Sequence, residues 1–243
     1  MSQSQINNQT PILETRGLVK HFGGARVING VDMQILDGEI RCVIGPNGAG
    51  KSTFFKLLTG EHVPTGGDVL FMGESLGNAL PYKRIRMGMS IKFQIPGIFP
   101  DLTVLQHLEL SRKQFKGNHL DTVGQLLKRF NLTAERDQHA GNLSHGKKQW
   151  LEMAMAVSLQ PKLLLLDEPV AGLSIEETHL TGELIKQMQA AGQTIMVVEH
   201  DMTFVKQIAT RVTVLHGGLV FADGPADEVL ARDDVADIYL GKS

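Results

Sequence analysis

The sequence predicts an α/β fold: a mixed sheet built around a phosphate-binding loop, an antiparallel β subdomain at the N-terminus and an inserted α-helical subdomain. Three observations carry that expectation. Gly45-Pro46-Asn47-Gly48-Ala49-Gly50-Lys51-Ser52-Thr53 completes the pattern G-x-x-x-x-G-K-[ST] between an apolar run and a helix-like run. Leu163–Leu166 and Thr194–Val198 are continuously apolar, as central parallel strands covered on both faces must be. From about Phe99 the spacing turns helical and strand formers become few.

Length and composition agree. The chain has 243 residues, 42% hydrophobic and 21% charged, enough for one large α/β domain with a real core. A net charge of −2, with no long Lys/Arg block, argues against an autonomous nucleic-acid binder. The single cysteine, Cys42, excludes an intrachain disulfide and reads as a buried strand thiol. Met1–Pro11 is polar and rich in Gln and Asn, so it is expected to be disordered rather than a signal peptide or anchor. No apolar run approaches the roughly 18 residues that span a bilayer. A cytoplasmic protein that docks on a membrane protein is therefore expected.

Ile12–His21 and Arg26–Ile35 read as strands of a hairpin around Gly23-Gly24. Ile40–Ile44 is an apolar strand that runs into the glycine loop, and Lys51–Thr59 is a helix ended by Gly60. Asp68–Met72 and Met89–Phe93 are further short strands, with Met87 and Met89 expected in the core. Leu102–Ser111, Leu120–Phe130 and Lys147–Ser158 are the helices of the insert, a subdomain of about residues 99–160 within one domain spanning 12–243. Ile175–Ala191 is the crossover helix, its buried stripe formed by Leu180, Leu184, Ile185 and Met188. Arg211–Leu215 and Leu219–Ala222 flank Gly217-Gly218 as a closing hairpin.

The chemistry follows from this order. Glycines let successive loop N–H groups face one anion, and the helix that follows adds its positive end. Lys51 reaches the β- and γ-phosphates and the Ser52 hydroxyl holds Mg²⁺. Asp167 ends an apolar strand on the edge where open α/β sheets bind ligands, so it is a second Mg²⁺ ligand. Glu168, next along, is placed to polarise a water as general base. His200, just past a central strand, is either a γ-phosphate donor or a surface histidine at a strand end. Gln94, before Pro96-Gly97, either reaches Mg²⁺ and the attacking water or is a plain loop residue. Ser144 is a natural N-cap, and the N–H groups of Ser144–Gly146 either cap only themselves or bind another phosphate.

Taken together these segments resemble the ATP-binding subunit of ABC transporters, from about Ile12 to Gly241 and with every motif in family order. Gly45–Thr53 is similar to the Walker A loop, Leu163–Glu168 to Walker B, Gln94 to the Q-loop residue, and Leu143–Gly146 to the signature. Ala171–Ser174 falls at the D-loop, His200 at the switch histidine, and Phe22 at the aromatic that stacks on adenine. Phe22-Gly23-Gly24, Val198–Met202 and Tyr239-Leu240-Gly241 look like the branched-chain amino acid and urea importer branch. Leu143–Glu152, Pro169–Gly172 and Val212–His216 look like its urea-type member. The resemblance implies Mg²⁺-dependent ATP hydrolysis at a site shared by two subunits. Each ATP would lie between one subunit's Walker A and the other's Ser144 and Gly146. It also implies a second ATPase subunit, in a heterodimer, with two integral-membrane permeases and a periplasmic binding protein. Peripheral attachment to the inner membrane follows, with Ile95, Ile98 and Phe99 either permease contacts or ordinary core residues. Two departures stand out: His145 and Lys147 replace a glycine and a glutamine of the usual signature, and Ser174 stands where an acidic residue is common. A lipid-type exporter subunit shares the ATP motifs and is the alternative. A repair or ribosomal ATPase lacks room for its coiled coil between Gln94 and Leu143, and a GTPase lacks its Asn-Lys-x-Asp motif.

Overall fold

The computed structural model describes residues 10–92, 97–113 and 120–240. Gln94, Ile95 and Pro96, and residues 1–9 of the N-terminal segment, lie outside the described residues. Two sheets form. The first pairs β1 (Leu13–Phe22) with β2 (Ala25–Ile35) as an antiparallel hairpin, and is completed across β1 by β4 (Gly66–Phe71) and the short β5 (Glu74–Ser75). Between them come β3 (Ile40–Ile44) and α1 (Lys51–Thr59). The chain then enters α2 (Pro81–Arg86) and β6 (Met89–Lys92), followed by α3 (Val104–Lys113), α4 (Val123–Arg129) and α5 (His145–Ser158). It continues as β7 (Leu163–Asp167), α6 (Ile175–Ala190), β8 (Thr194–Val198), α7 (Met202–Ile208), β9 (Arg211–His216) and β10 (Leu219–Pro225). Two short helices, α8 (Ala226–Leu230) and α9 (Asp233–Leu240), follow.

The second sheet runs β10-β9-β3-β8-β7-β6, parallel except for the β9–β10 hairpin, and is therefore mixed. Its strands alternate between two cores. Cys42, Leu164, Leu166, Ile195 and Val197 share one core with Leu151, Ile185 and Phe204 of the helical layer. Val43, Leu163, Leu165, Met196 and Val198 share the other with Phe54 and Phe55 of α1 and with β1, β2 and β4. α1 thus lies between the two sheets, and a period of two sends each strand's neighbours to opposite cores. Burial pushes the Cys42 thiol well above its ordinary range.

Three expectations change. Leu180 is 40% exposed, so the buried stripe of α6 is Thr181, Leu184, Ile185 and Met188. Met87 is 38% exposed at the end of α2, whereas Met89 is buried in β6. The fourth helix starts at Val123, because Thr122 and Gln125 form a capping box there. The helices α2, α7, α8 and α9 were not anticipated. Among the described residues no helix is long and apolar enough to cross a membrane.

Candidate functional site

The loop 45–53 connects β3 to α1 at the C-terminal edge of the parallel strands. It is held by close backbone approach. A Cβ on Gly45 would lie 2.2 Å from the Leu215 carbonyl oxygen, and one on Gly50 2.9 Å from that of Val27. Gly50 sits in the left-handed region, at φ 100°, and caps α1 without any side-chain bond. Gly218 N donates to Ala49 O at 3.2 Å and Asn29 N to Gly218 O at 2.8 Å, so both sheets grip the loop. Pro46, Asn47, Gly48 and Thr53 complete it, with Ser52 exposed on the first turn of α1.

Lys51 is buried. Its Nζ donates to Gly45 O at 2.6 Å and Pro46 O at 3.1 Å. Burial lowers its pKa, opposed by the charges of Glu168, Glu199 and Asp167. These three carboxylates come from the ends of β7 and β8. Burial, and then the neighbouring Glu168 charge, push Asp167 up to about 6. Glu168 has a left-handed backbone, φ 43°, rare for a side-chain-bearing residue and characteristic of strain held at functional sites. Its amide donates to Val198 O at 3.0 Å, and its carboxylate lies 3.5 Å from His200 Nδ1.

Two groups that sequence reasoning missed sit beneath this edge. Glu199 is buried; its Oε2 accepts from the amides of His200 at 2.8 Å and Asp201 at 3.2 Å. Its Oε1 has no partner among the described residues, and burial raises its pKa. Lys92, the one charge in apolar β6, is 1% exposed with Nζ 3.5 Å from Asp167 O. Burial lowers its pKa against the pull of Glu152, Asp167, Glu199 and Glu168. A lone charge at the end of an otherwise apolar strand was the available signal for both.

Elsewhere, Phe22 ends β1 half-exposed, with the Lys20 ammonium 5.0 Å from its centroid and His62 edge-on at 5.2 Å. Ser144 caps α5, its hydroxyl accepting from Lys147 N at 3.3 Å. Among the described residues no hydrogen bond or ion pair joins Ser144 or Gly146 to residues 45–53 or to His200. Phe99 is 57% exposed, while Ile98 packs partly on the helical core.

Among the described residues no group of three or more His, Cys, Asp or Glu can hold a metal. A cation here would take the Asp167 carboxylate, the Ser52 hydroxyl and the ligand's own phosphate oxygens. That hard, oxygen-only set suits Mg²⁺.

The family model described as "ABC transporter" matches residues 28–171, more than half of the chain. The high-affinity branched-chain amino acid transport ATP-binding protein LivG of Escherichia coli K12 is 36% identical over 253 residues, covering 96% of this chain and 99% of its own length. BraF of Pseudomonas aeruginosa, of the same description, is 33% identical over 252 residues at the same coverage. A solved structure, the ADP conformation of the ATP-binding cassette MJ1267, superposes with a TM-score of 0.83 at 28% identity, covering 95% of this chain and 99% of that one. With the phosphate loop, the paired carboxylates and the fold in agreement, the chain belongs to the ABC transporter family as one of its ATP-binding cassettes.

Proposed function

We propose that this chain hydrolyses Mg-ATP to drive uptake of a branched-chain amino acid or short amide through partner permeases. The observation that carries the reading is the meeting of Glu168 and His200, 3.5 Å apart, beside the Lys51 loop at one sheet edge. Lys51 neutralises the β- and γ-phosphates within the amides of Gly45–Thr53, and Phe22 stacks the adenine. Ser52, Asp167 and Gln94 would hold Mg²⁺, which when bound would neutralise phosphate charge. Glu168 takes the proton of the attacking water, and His200 holds both that carboxylate and the γ-phosphate. Ser144 and Gly146 serve the ATP of a second, non-identical ATPase subunit. The lack, among the described residues, of any hydrogen bond or ion pair between them and the Lys51 loop supports that reading.

Import is favoured over lipid export by the LivG and BraF relatives, whose names state amino-acid transport. Two permeases and a periplasmic binding protein would complete the assembly at the inner membrane. Ile98 and exposed Phe99 are contacts for a permease helix.

Glu168→Gln keeps the size and removes the basicity. ATP binding by the variant should match the parent while single-turnover hydrolysis falls about a hundredfold or more. Hydrolysis within a few-fold of the parent removes Glu168 from the role. Uptake of labelled leucine against labelled urea by the assembled transporter decides the cargo.

A further inference from the structure

His145 stands on the loop that the proposed dimer presents to the partner's ATP, at a position where the family signature has no side chain. Its ring is not free. His145 Nε2 lies 3.0 Å from the carbonyl oxygen of Ala171, in the segment between β7 and α6. A carbonyl only accepts, so the imidazole carries its proton on Nε2 and donates it there. Fully buried Gln149, one turn along α5, packs its amide within 3.3 Å of the same nitrogen. A protonated Nε2 cannot accept from the amide nitrogen, so the amide turns its otherwise unpartnered oxygen to the ring and confines it. The other side is equally tight: a Cβ on Gly172 would meet His145 Nε2 at 3.2 Å.

A second tie runs beside it. Glu177 Oε2 accepts from Ser174 N and Ser174 Oγ, both at 3.0 Å, while its other oxygen abuts Gly146, where a Cβ would lie 2.2 Å away. Deeper, Trp150 Nε1 donates to Thr181 Oγ1 at 2.9 Å, so the bases of α5 and α6 are joined without His145. What His145 supplies is a direct hydrogen bond between the tips, residues 144–146 and 171–174, beside the Glu177 carboxylate packed between Ser174 and Gly146.

We propose that His145 is a positioning residue that hydrogen-bonds the start of α5, Ser144–Gly146, to the Ala171–Ser174 loop, so that both meet the partner subunit as one preformed element. The functional half of this rests on the two-subunit reading above; the bridge itself does not. A glycine at 145 leaves the two loops to find their relative position at each closure. Here that ordering is built into the free chain.

Hydrogen exchange in the full chain tests the bridge. The Ala171 amide donates to Glu168 O at 3.2 Å and the Leu173 amide to Val170 O at 3.1 Å, so both report on opening of the second loop. In His145→Ala their exchange should speed up about fivefold, the population effect of one net hydrogen bond. In His145→Gln, which keeps an N–H donor of similar reach, it should stay near the parent rate. Amides of β3 should be unchanged in both, which separates loop release from general unfolding. Unaltered Ala171 and Leu173 exchange in His145→Ala overturns the bridge.

Steady-state hydrolysis tests the coupling: His145→Ala should lower kcat about fivefold with KM for ATP unchanged, and His145→Gln should restore it. A raised KM at constant kcat overturns the positioning role. Ser144→Ala is the separate control. Parental hydrolysis in that variant overturns the two-subunit reading and leaves the exchange result on His145 to stand alone.

Discussion

Helix α1 opens on Gly50, which offers no side-chain bond, whereas α5 opens on Ser144, whose hydroxyl already takes the Lys147 amide. Both present the positive end of a helix to solvent. Around α1 the chain then gathers opposite charges: Lys51, and the carboxylates of Asp167, Glu168 and Glu199. Around α5 it gathers a hydrogen bond from His145 to the second loop and the Glu177 carboxylate packed against Gly146. In the proposed mechanism the first end holds the groups that act on a phosphate, and the second holds groups that shape the surface offered to the partner subunit. One helix-end geometry thus gives two functions, separated by which side chains the neighbouring strands and loops deliver.

The far ends of the two helices differ in the same sense, and that contrast gives the largest expected effect. The last carbonyls of α1, Leu57 O and Leu58 O, accept from Arg84 Nη1 at 2.8 and 2.6 Å, and Arg84 Nε donates to Ala79 O at 2.9 Å. Burial pushes this 1%-exposed guanidinium down to about 10, yet it stays charged at neutral pH. At the end of α5 no guanidinium among the described residues takes this role: Ser158 Oγ donates to Met155 O at 2.6 Å and lies 3.0 Å from Ser111 Oγ. Arg84→Ala strands several buried carbonyls and should lower urea-unfolding stability by about 3 kcal/mol. Arg84→Lys should recover only part of it, because one ammonium cannot span the fork. Ser158→Ala should cost about 1 kcal/mol. Equal losses in Arg84→Ala and Ser158→Ala would erase the contrast.

The next effect separates the two helix starts by pH. Asp167 titrates near 6 in the fold against about 4 in an unfolded chain, so the fold binds its proton more tightly. Its charge therefore disfavours the fold above pH 6, and the penalty fades as pH falls towards 4. Asp167→Asn removes it. The nucleotide-free variant should be more stable than the parent by about 1–2 kcal/mol at pH 7, after allowance for solvent screening, with the gain gone near pH 4. A gain of the same size at both pH values would assign it to something other than this charge.

The glycine loop, the apolar strands and the Asp167-Glu168 pair were legible because each is written in consecutive residues. The short helices were not. α7 is set by Asp201 Oδ1 accepting from Thr203 N at 2.9 Å and Phe204 N at 3.0 Å, a local signal that passed for an extension of the strand end. α2 carries Tyr82 and Ile85 on an exposed face, and its buried residue is Arg84, whose partners include carbonyls 26 and 27 residues back. Leu180 fits a helical stripe yet faces solvent, because periodicity names a face without naming what covers it. Lys92 and Glu199 needed β6, β7 and β8 side by side before their charges could be seen to converge. His145 was visible as a departure, but its acceptor is a backbone carbonyl 26 residues away, which no side-chain pattern records.

The smallest effect concerns Ser144, and two substitutions divide its roles. Ser144→Ala removes the acceptor for Lys147 N and should lower stability by about 1 kcal/mol, the usual value of an N-cap. Ser144→Asp keeps the cap, adds a charge suited to a helix start, and should melt within about 0.5 kcal/mol of the parent. Capping alone therefore predicts full ATP hydrolysis in Ser144→Asp. A partner's phosphate facing this end predicts the opposite, since a carboxylate repels it, and hydrolysis should fall at least tenfold with the fold intact. A stable and fully active Ser144→Asp would leave α5 with a structural end only, and α1 as the one phosphate site of the chain.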